Sequence, residues 1–380
     1  MQKLPMQDLQ DFLEPVSVHT INADEGYYEG QLARHIDLYQ EAMPDISPAS
    51  IVIIGAKETR GESILGGAEN AANEIRKEFY KLHYWHTDIK ICDLGNVKTG
   101  ETVADSYAAL KTVVAALIEQ QKTVIIIGGS HDVTLGQYNA YRHLNLQIEA
   151  TCIDAKIDLQ SETPIRSDNF LMEMLTGDPN LVKHYNHLGF QCYLVHPKLL
   201  ETMDKLRFDC YRLGTVLELM EEMEPVLRNS HLISFDICAI KNADAPANTD
   251  LPNGFTGIEA CTLARYAGMS DRLSSFGLYG YRPELDRNAL TAKQAAQILW
   301  YFIDGKHKSL HEANHEDKHN FIEFHTAFAE VDTLFLQSKK TGRWWMQMPN
   351  NKLIACSYSD YKKASQNQIP ERWLRVQERN

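Results

Sequence analysis

The apolar positions of this chain gather into short, abruptly ended runs. Residues 51–55, 89–94, 124–127, 150–153, 192–196, 231–235 and 274–281 are rich in aliphatic and aromatic side chains and alternate little with polar ones. Runs of this length read as strands buried on both faces, as in a parallel sheet. Between them the period changes to that of a helix. Residues 61–81 place Ala68, Ala71, Ala72, Ile75 and Phe79 on one face, and 103–120 do the same with Ala109, Leu110, Val113, Val114 and Leu117. Residues 170–175, 218–228 and 291–303 also read as helices, the last with Thr291 as its cap. Alternating β and α predicts an α/β fold, a three-layer α/β/α sandwich around a mostly parallel sheet. Residues 1–49 form a polar N-terminal segment, 50–305 the α/β domain, and 306–380 an extension packed on it. The stretch 159–188 is polar and predicted to be loop around the 170–175 helix. The Pro- and Gly-containing stretch 239–257 is a long loop expected to line the cleft at the strand ends.

Three of the strand-like runs end in residues of one chemical kind. The first, 124–127, stops at Gly128-Gly129 and is followed by Ser130, His131 and Asp132. The second, 150–153, runs into Asp154, Lys156 and Asp158, whose spacing of two points them to one side of an extended chain. The third, 231–235, ends in Asp236 and Cys238. Ligands of open α/β sheets sit at the carboxyl ends of strands. One imidazole and several carboxylates gathered there suit a divalent metal such as Mn or Zn. The plainer alternative is that each Asp caps the turn or helix after its strand.

These residues carry a resemblance. GGSHDVTLG is similar to the GGDHS-type motif of the ureohydrolases, the arginase, agmatinase and formimidoylglutamase family; DAKID resembles its DAHxD motif, and SFDICAIKNADAP its SxDxDxxDP motif. GESILGGAENAANEIRKEF at 61–79, DLGNV at 93–97 and the stretch 280–303 extend the likeness over roughly residues 50–305, closest to formimidoylglutamase-like members with a C-terminal extension. The resemblance implies the arginase-like fold, hydrolysis of C–N bonds in linear amidines, and two Mn ions. It assigns His131, Asp154, Asp158 and Asp236 to the first ion. The two positions peculiar to the second are occupied by Lys156 and Cys238, and the substrate-side Glu falls at Gly280. Ser130 replaces the Asp of GGDHS, and 161–167 lacks the catalytic His of the arginases. One divalent ion is therefore expected, Mn by resemblance, with Zn or none as alternatives. Activity on a guanidino or formimino amino-acid derivative is expected to be reduced or altered, the other reading being a non-catalytic homologue. Lysine has no lone pair to give a metal at neutral pH. Lys156 is thus expected to act as a fixed cation among Asp154, Asp158 and Asp236, which with one divalent ion would bring the net charge of the group to zero. The resemblance also implies a trimer or hexamer.

Charge and composition narrow the remaining classes. The net charge of −13, from 38 basic and 51 acidic residues, argues against nucleic acid as a partner. No apolar stretch approaches the ~18 residues of a membrane span. The start, MQKLPMQDLQDFLEP, lacks the pattern of a signal peptide. Seven scattered Cys without a CxxC pair read as reduced thiols of a cytoplasmic protein. His311-Glu312-Ala313-Asn314-His315 matches HExxH, but its polar surroundings read as a solvated linker rather than a zinc-protease helix. The aromatic-rich stretch 320–380 reads as a small β-rich layer, with KKTG at 339–342 as a hairpin turn.

Overall fold

A computed structural model describes residues 9–17, 26–62, 70–160, 162–248 and 251–379. Ala68 of the first helical segment lies outside the described residues. The central sheet has ten strands: β1 (Leu13–Glu14), β2 (Ile36–Leu38), β3 (Ile51–Gly55), β4 (Ile91–Val97), β5 (Thr123–Ile127), β6 (Ile148–Ile153), β7 (Val182–Phe190), β8 (Asp209–Arg212), β9 (Leu232–Asp236) and β10 (Ser275–Tyr279). Their order is β1-β4-β3-β5-β10-β9-β6-β7-β8, with β2 also on β4. Every pairing is parallel except β1 with β4. The helices are α1 (Ala71–Phe79), α2 (Val103–Glu119), α3 (Thr134–Leu144), α4 (Phe170–Thr176), α5 (Pro197–Lys205), α6 (Leu213–Glu218), α7 (Met223–Arg228), α8 (Gly257–Gly268) and α9 (Leu290–Leu310).

Alternation along the strands divides the core into two layers. Ile51, Ile53, Ile125, Ile127, Ile233 and Phe235 pack with α1, α8 and α9 on one face. Val52, Ile54, Val124, Ile126 and Leu232 pack with α2, α3 and α4 on the other. This is the mostly parallel three-layer α/β/α sandwich of the arginase-like fold, and it explains why the strands read as continuous apolar runs: neither face meets water.

One ion pair is sealed inside the first layer. Arg76 of α1 and Asp93 of β4 are both fully buried, and the guanidinium donates to both carboxylate oxygens at 2.8 and 2.9 Å. Asn96, the Gly95 carbonyl and the Tyr80 hydroxyl complete the group at 2.6, 2.7 and 2.8 Å. Burial opposes the charge on Arg76, and Asp93 more than offsets it. The segments 61–79 and 93–97, singled out separately in the sequence, thus meet at one buried charge.

Some elements differ from the sequence reading. The strand expected at 192–196 is a short 3-10 turn, Cys192–Leu194, and the strand is β7, Val182–Phe190, inside the polar stretch expected to be loop. β7 carries His184, Asn186 and His187, all buried. Tyr185, Asp209 and the Asp154 carbonyl bond the two imidazole rings, so polar residues fill an interior strand with only His184 Nδ1 of those rings left without a partner among the described residues. The helix expected at 218–228 is a 3-10 turn at Met220–Glu222 running into α7, while α6 before it ends at Glu218. Helix α9 continues seven residues past 303, so the stretch expected to be a solvated linker begins as ordered helix.

Beyond α9 lie β11 (Phe321–Phe328), β12 (Val331–Ser338), β13 (Trp344–Gln347) and β14 (Leu353–Cys356), an antiparallel sheet, followed by α10 (Tyr358–Ser365) and α11 (Glu371–Arg379). KKTG forms the β12–β13 turn, where Gly342 takes the left-handed conformation at φ 75° and donates to Ser338 O. Arg228 of α7 lies 4.4 Å over the ring of Trp345 and donates to Trp344 O at 2.8 Å. Asp209 of β8 pairs with Arg375 and Arg379 of α11. A cavity of about 430 Å³ opens along this seam, lined by His184, Asp209, Arg372 and Arg375 among others. It lies at the amino ends of β7 and β8, away from the carboxyl strand ends. Among the described residues no helix is long and apolar enough to cross a membrane.

Candidate metal centre

In the sheet, β10 and β9 lie between β5 and β6, so the carboxyl ends of four neighbouring strands share one edge. After β5 the chain turns sharply through Gly128 and Gly129, both at φ 82°. A Cβ on Gly128 would lie 2.9 Å from the Ala56 carbonyl, so only glycine fits. The turn delivers His131 to the start of a 3-10 turn that leads into α3. Asp154 follows β6 directly, and Asp236 is the last residue of β9. The Asp154 carboxylate accepts the Lys156 amide at 3.1 Å, and the Asp236 carboxylate the Cys238 amide at 2.7 Å. The turn-capping role therefore exists, but each cap engages only one carboxylate oxygen.

The other oxygens converge. His131 Nδ1 lies 3.1 Å from Asp154 Oδ2, 2.8 Å from Asp158 Oδ2 and 3.4 Å from Asp236 Oδ2. All four residues are buried, none more than 8% exposed. On its far side His131 Nε2 meets Ser234 Oγ at 2.8 Å, and that hydroxyl also bonds Thr134 Oγ1 at 2.7 Å. A ring that donates Nε2–H to Ser234 and gives up its Nδ1 proton would turn that lone pair toward three carboxylates, where a cation fits between them. Burial opposes charge on His131, but Cys152 and the carboxylates outweigh it and raise the imidazole well above its usual range. Burial, with the charge of Asp154 beside them, raises Asp158 and Asp236. Asp154 is lowered: burial would raise it, but His131, His187 and Cys238 prevail. The group so arranged is short of positive charge, and its nitrogen and oxygen donors fit one divalent ion.

The remaining positions differ from their expected roles. Lys156 does not sit among the three carboxylates. Among the described residues its ammonium pairs within 4 Å only with Asp168, at 3.8 Å, and its side chain is 32% exposed. A flexible lysine keeps its head in water where it can. Lys156→Ala is therefore expected to cost less than about 1 kcal/mol, as for an exposed pair. Matching thermal melts of parent and variant, at pH 5.5 and 7.5, would bear this out, and a large loss would restore the buried-cation role. Cys238 Sγ donates to Asp154 Oδ1 at 2.8 Å. Asp154, Asp236 and Cys238 are close enough together to hold an ion. Burial and the flanking carboxylates push the Cys238 thiol well up, so without an ion it stands as a proton donor to Asp154. Gly280 stands at φ 78°, and a Cβ there would come within 2.5 Å of Asp236 Oδ1. A side chain at 280 would therefore collide with the Asp236 carboxylate. Ser130 donates to the Glu58 carbonyl at 3.2 Å. Within 161–167, Ser161 lies outside the described residues and Arg166 pairs with Glu173.

Several contributors escaped sequence reasoning. Ser234 and Cys152, the latter 3.6 Å from His131 Nε2, each lie two residues before a candidate ligand. The period of two that groups Asp154, Lys156 and Asp158 would have found both. Glu62 pairs with Arg282 in a nearly buried contact, and the charges of Asp236 and Asp132 act on Glu62. Tyr107 donates to Asp132, which follows His131. No local spacing announces these long-range pairs.

The likeness to known proteins agrees with this geometry. The Arginase family model matches residues 49–304, more than half of the chain. The formimidoylglutamase of Lysinibacillus sphaericus (strain C3-41) is 24% identical over 297 residues, covering 70% of this chain and 88% of that protein. The formimidoylglutamase of Staphylococcus carnosus (strain TM300) is 26% identical over 251 residues, covering 62% and 79%. Trypanosoma cruzi formiminoglutamase, solved with Mn2+, superposes with a TM-score of 0.64 at 17% identity over 70% of this chain and 96% of that one. Bacillus subtilis formimidoylglutamase gives 0.66 at 16% identity over 79% and 98%. Family match, strand order and the gathering of His131 with three aspartates lead to one conclusion: the chain belongs to the arginase family.

Proposed function

We propose that this protein is a formimidoylglutamase-like hydrolase of linear amidines with a one-ion centre and reduced turnover. The observation that carries the reading is the approach of His131 Nδ1 to three carboxylate oxygens within 3.4 Å, beside a protonated Cys238 and a Lys156 that turns away. His131, Asp154, Asp158 and Asp236 would hold one divalent ion. Manganese is the proposed ion, because three carboxylates and one imidazole suit it and a similar structure was solved with it. When bound, the ion lowers the pKa of a water and polarises the amidine. Ser234 holds the His131 ring by its Nε2 proton, and Thr134 holds Ser234. Burial raises Asp158 and Asp236 in the ion-free group, so binding the ion would release protons from them. The proposed substrates are formimino or guanidino amino-acid derivatives, the protein working outside membranes, in the cytoplasm, as a homo-oligomer.

A second reading has its own support. With Cys238 bonded to Asp154 and no side chain at Gly280, where a Cβ would meet Asp236, the centre could hold its ion purely to neutralise three buried aspartates. Such a chain would be a non-catalytic homologue.

The one-ion centre is tested by rebuilding the missing ligands. Manganese titration of the chelator-stripped parent, followed calorimetrically, is expected to give one tight equivalent. The double variant Lys156→His with Cys238→Asp is expected to give two, because both replaced positions again offer ligands. Two tight equivalents in the parent would overturn the proposal.

A further inference from the structure

A second group of imidazoles lies far from the strand ends, in KHKSLHEANHEDKH at 306–319. The HExxH pair is not assembled: the His315 ring stacks on Phe321 and meets the edge of Trp345, at 5.4 and 4.8 Å between centroids. Glu312 is held by Arg343, Ser338 and Thr341. Because α9 runs on to Leu310, however, His307 and His311 fall one turn apart on the same helical face.

Asp88, from the turn before β4, faces this pair. His307 Nδ1 is 3.0 Å from each carboxylate oxygen, and His311 Nε2 is 3.6 Å from Oδ2. All three ligand atoms lie within 4.8 Å of one another. The tautomer of His311 is set independently. Its Nδ1 lies 2.8 Å from the His307 carbonyl oxygen, which can only accept, so Nδ1 carries the proton. Neutral His311 then turns a bare Nε2 lone pair toward a carboxylate oxygen. Two acceptors so placed repel unless a proton or a metal ion lies between them, and a backbone carbonyl that orients a ring in this way is common among metal-bound histidines. Ligand bonds of about 2.0–2.2 Å in a tetrahedron put donor atoms about 3.4 Å apart, and the observed 3.0 and 3.6 Å bracket that value. The neighbours brace the group: the His86 ring stacks on His307 at 4.2 Å and bonds Asp304, which Arg265 holds from the other side.

We propose that Asp88, His307 and His311 form a second metal site, selective for zinc, which clamps the end of α9 to the turn before β4. Two imidazoles and one carboxylate suit zinc, whereas the carboxylate-rich strand-end group suits manganese. The exposed face leaves a fourth position for water.

The test uses the full chain, stripped of metal and then saturated with manganese. Titration with zinc chloride is expected to give one further equivalent, with a rise in melting temperature. His307→Ala, at a half-exposed position that leaves the fold intact, is expected to lose that equivalent and the rise. Asp154→Ala is expected to keep both, which separates this site from the strand-end centre. Cobalt(II) in place of zinc is expected to give the strong visible absorption of a tetrahedral ion in the parent and not in His307→Ala. Equal zinc binding by parent and His307→Ala, or no zinc bound beyond the manganese-filled centre, would overturn the proposal, leaving Asp88 as the partner of protonated imidazoles only.

Discussion

Turnover of formiminoglutamate, arginine and agmatine is expected to lie at least about a thousandfold below that of a two-metal ureohydrolase, equivalent to roughly 4 kcal/mol of transition-state stabilisation. Two causes act together. A water held by one ion is a weaker acid than one bridging two. In addition, position 280 offers no carboxylate, and a Cβ there would collide with Asp236. A steady-state assay with saturating manganese measures the effect. Whatever turnover remains is expected to vanish in Asp158→Asn, which removes a carboxylate 2.8 Å from His131. Turnover near about 10 per second, the ordinary rate of an enzyme, would refute the prediction.

The second large effect is on stability. Asp93→Ala is expected to destabilise the fold by about 3–5 kcal/mol, the cost of leaving a buried charge without its partner. Arg76 is fully buried and cannot lose its proton or reach water. Its remaining partners, Asn73, Asn96 and the Gly95 carbonyl, are neutral acceptors. The Tyr80 hydroxyl, which donates to Asp93, would be orphaned as well. Asp93→Asn keeps an acceptor in place and is expected to lose less. Urea unfolding reads the difference as a lower midpoint at unchanged slope. A loss below about 1 kcal/mol would show that the guanidinium finds other partners, against the reading of a sealed pair.

The fold was legible in the sequence wherever both faces of a strand are apolar. β3, β5, β9 and β10 stand out because each alternate residue belongs to one of two buried layers. β7 did not stand out, because His184, Asn186 and His187 bond Asp209, Thr151 and the Asp154 carbonyl, all distant in the chain, and a polar run with distant partners resembles a loop. For the same reason 192–196, apolar but turned, resembled a strand. The candidate ligands were legible because strand ends followed by Asp or His concentrate chemistry at one edge. The position of Lys156 was not. Spacing of two gave the side of the strand on which it emerges, but not the direction of a four-carbon chain that reaches Asp168 and solvent instead. Nor could spacing reveal that a side chain at position 280 would collide with Asp236, which the neighbouring strand supplies.

The ion count at the strand ends decides most directly between a one-ion centre and the two-ion arrangement of a complete ureohydrolase. It can be read from anomalous diffraction at the manganese edge, on crystals of the full chain grown with excess manganese. One peak is expected at the strand ends, enclosed by His131, Asp154, Asp158 and Asp236, with Cys238 Sγ still against Asp154. Two peaks there, about 3.5–4 Å apart as in two-metal hydrolases, with Cys238 turned to the second, would contradict it.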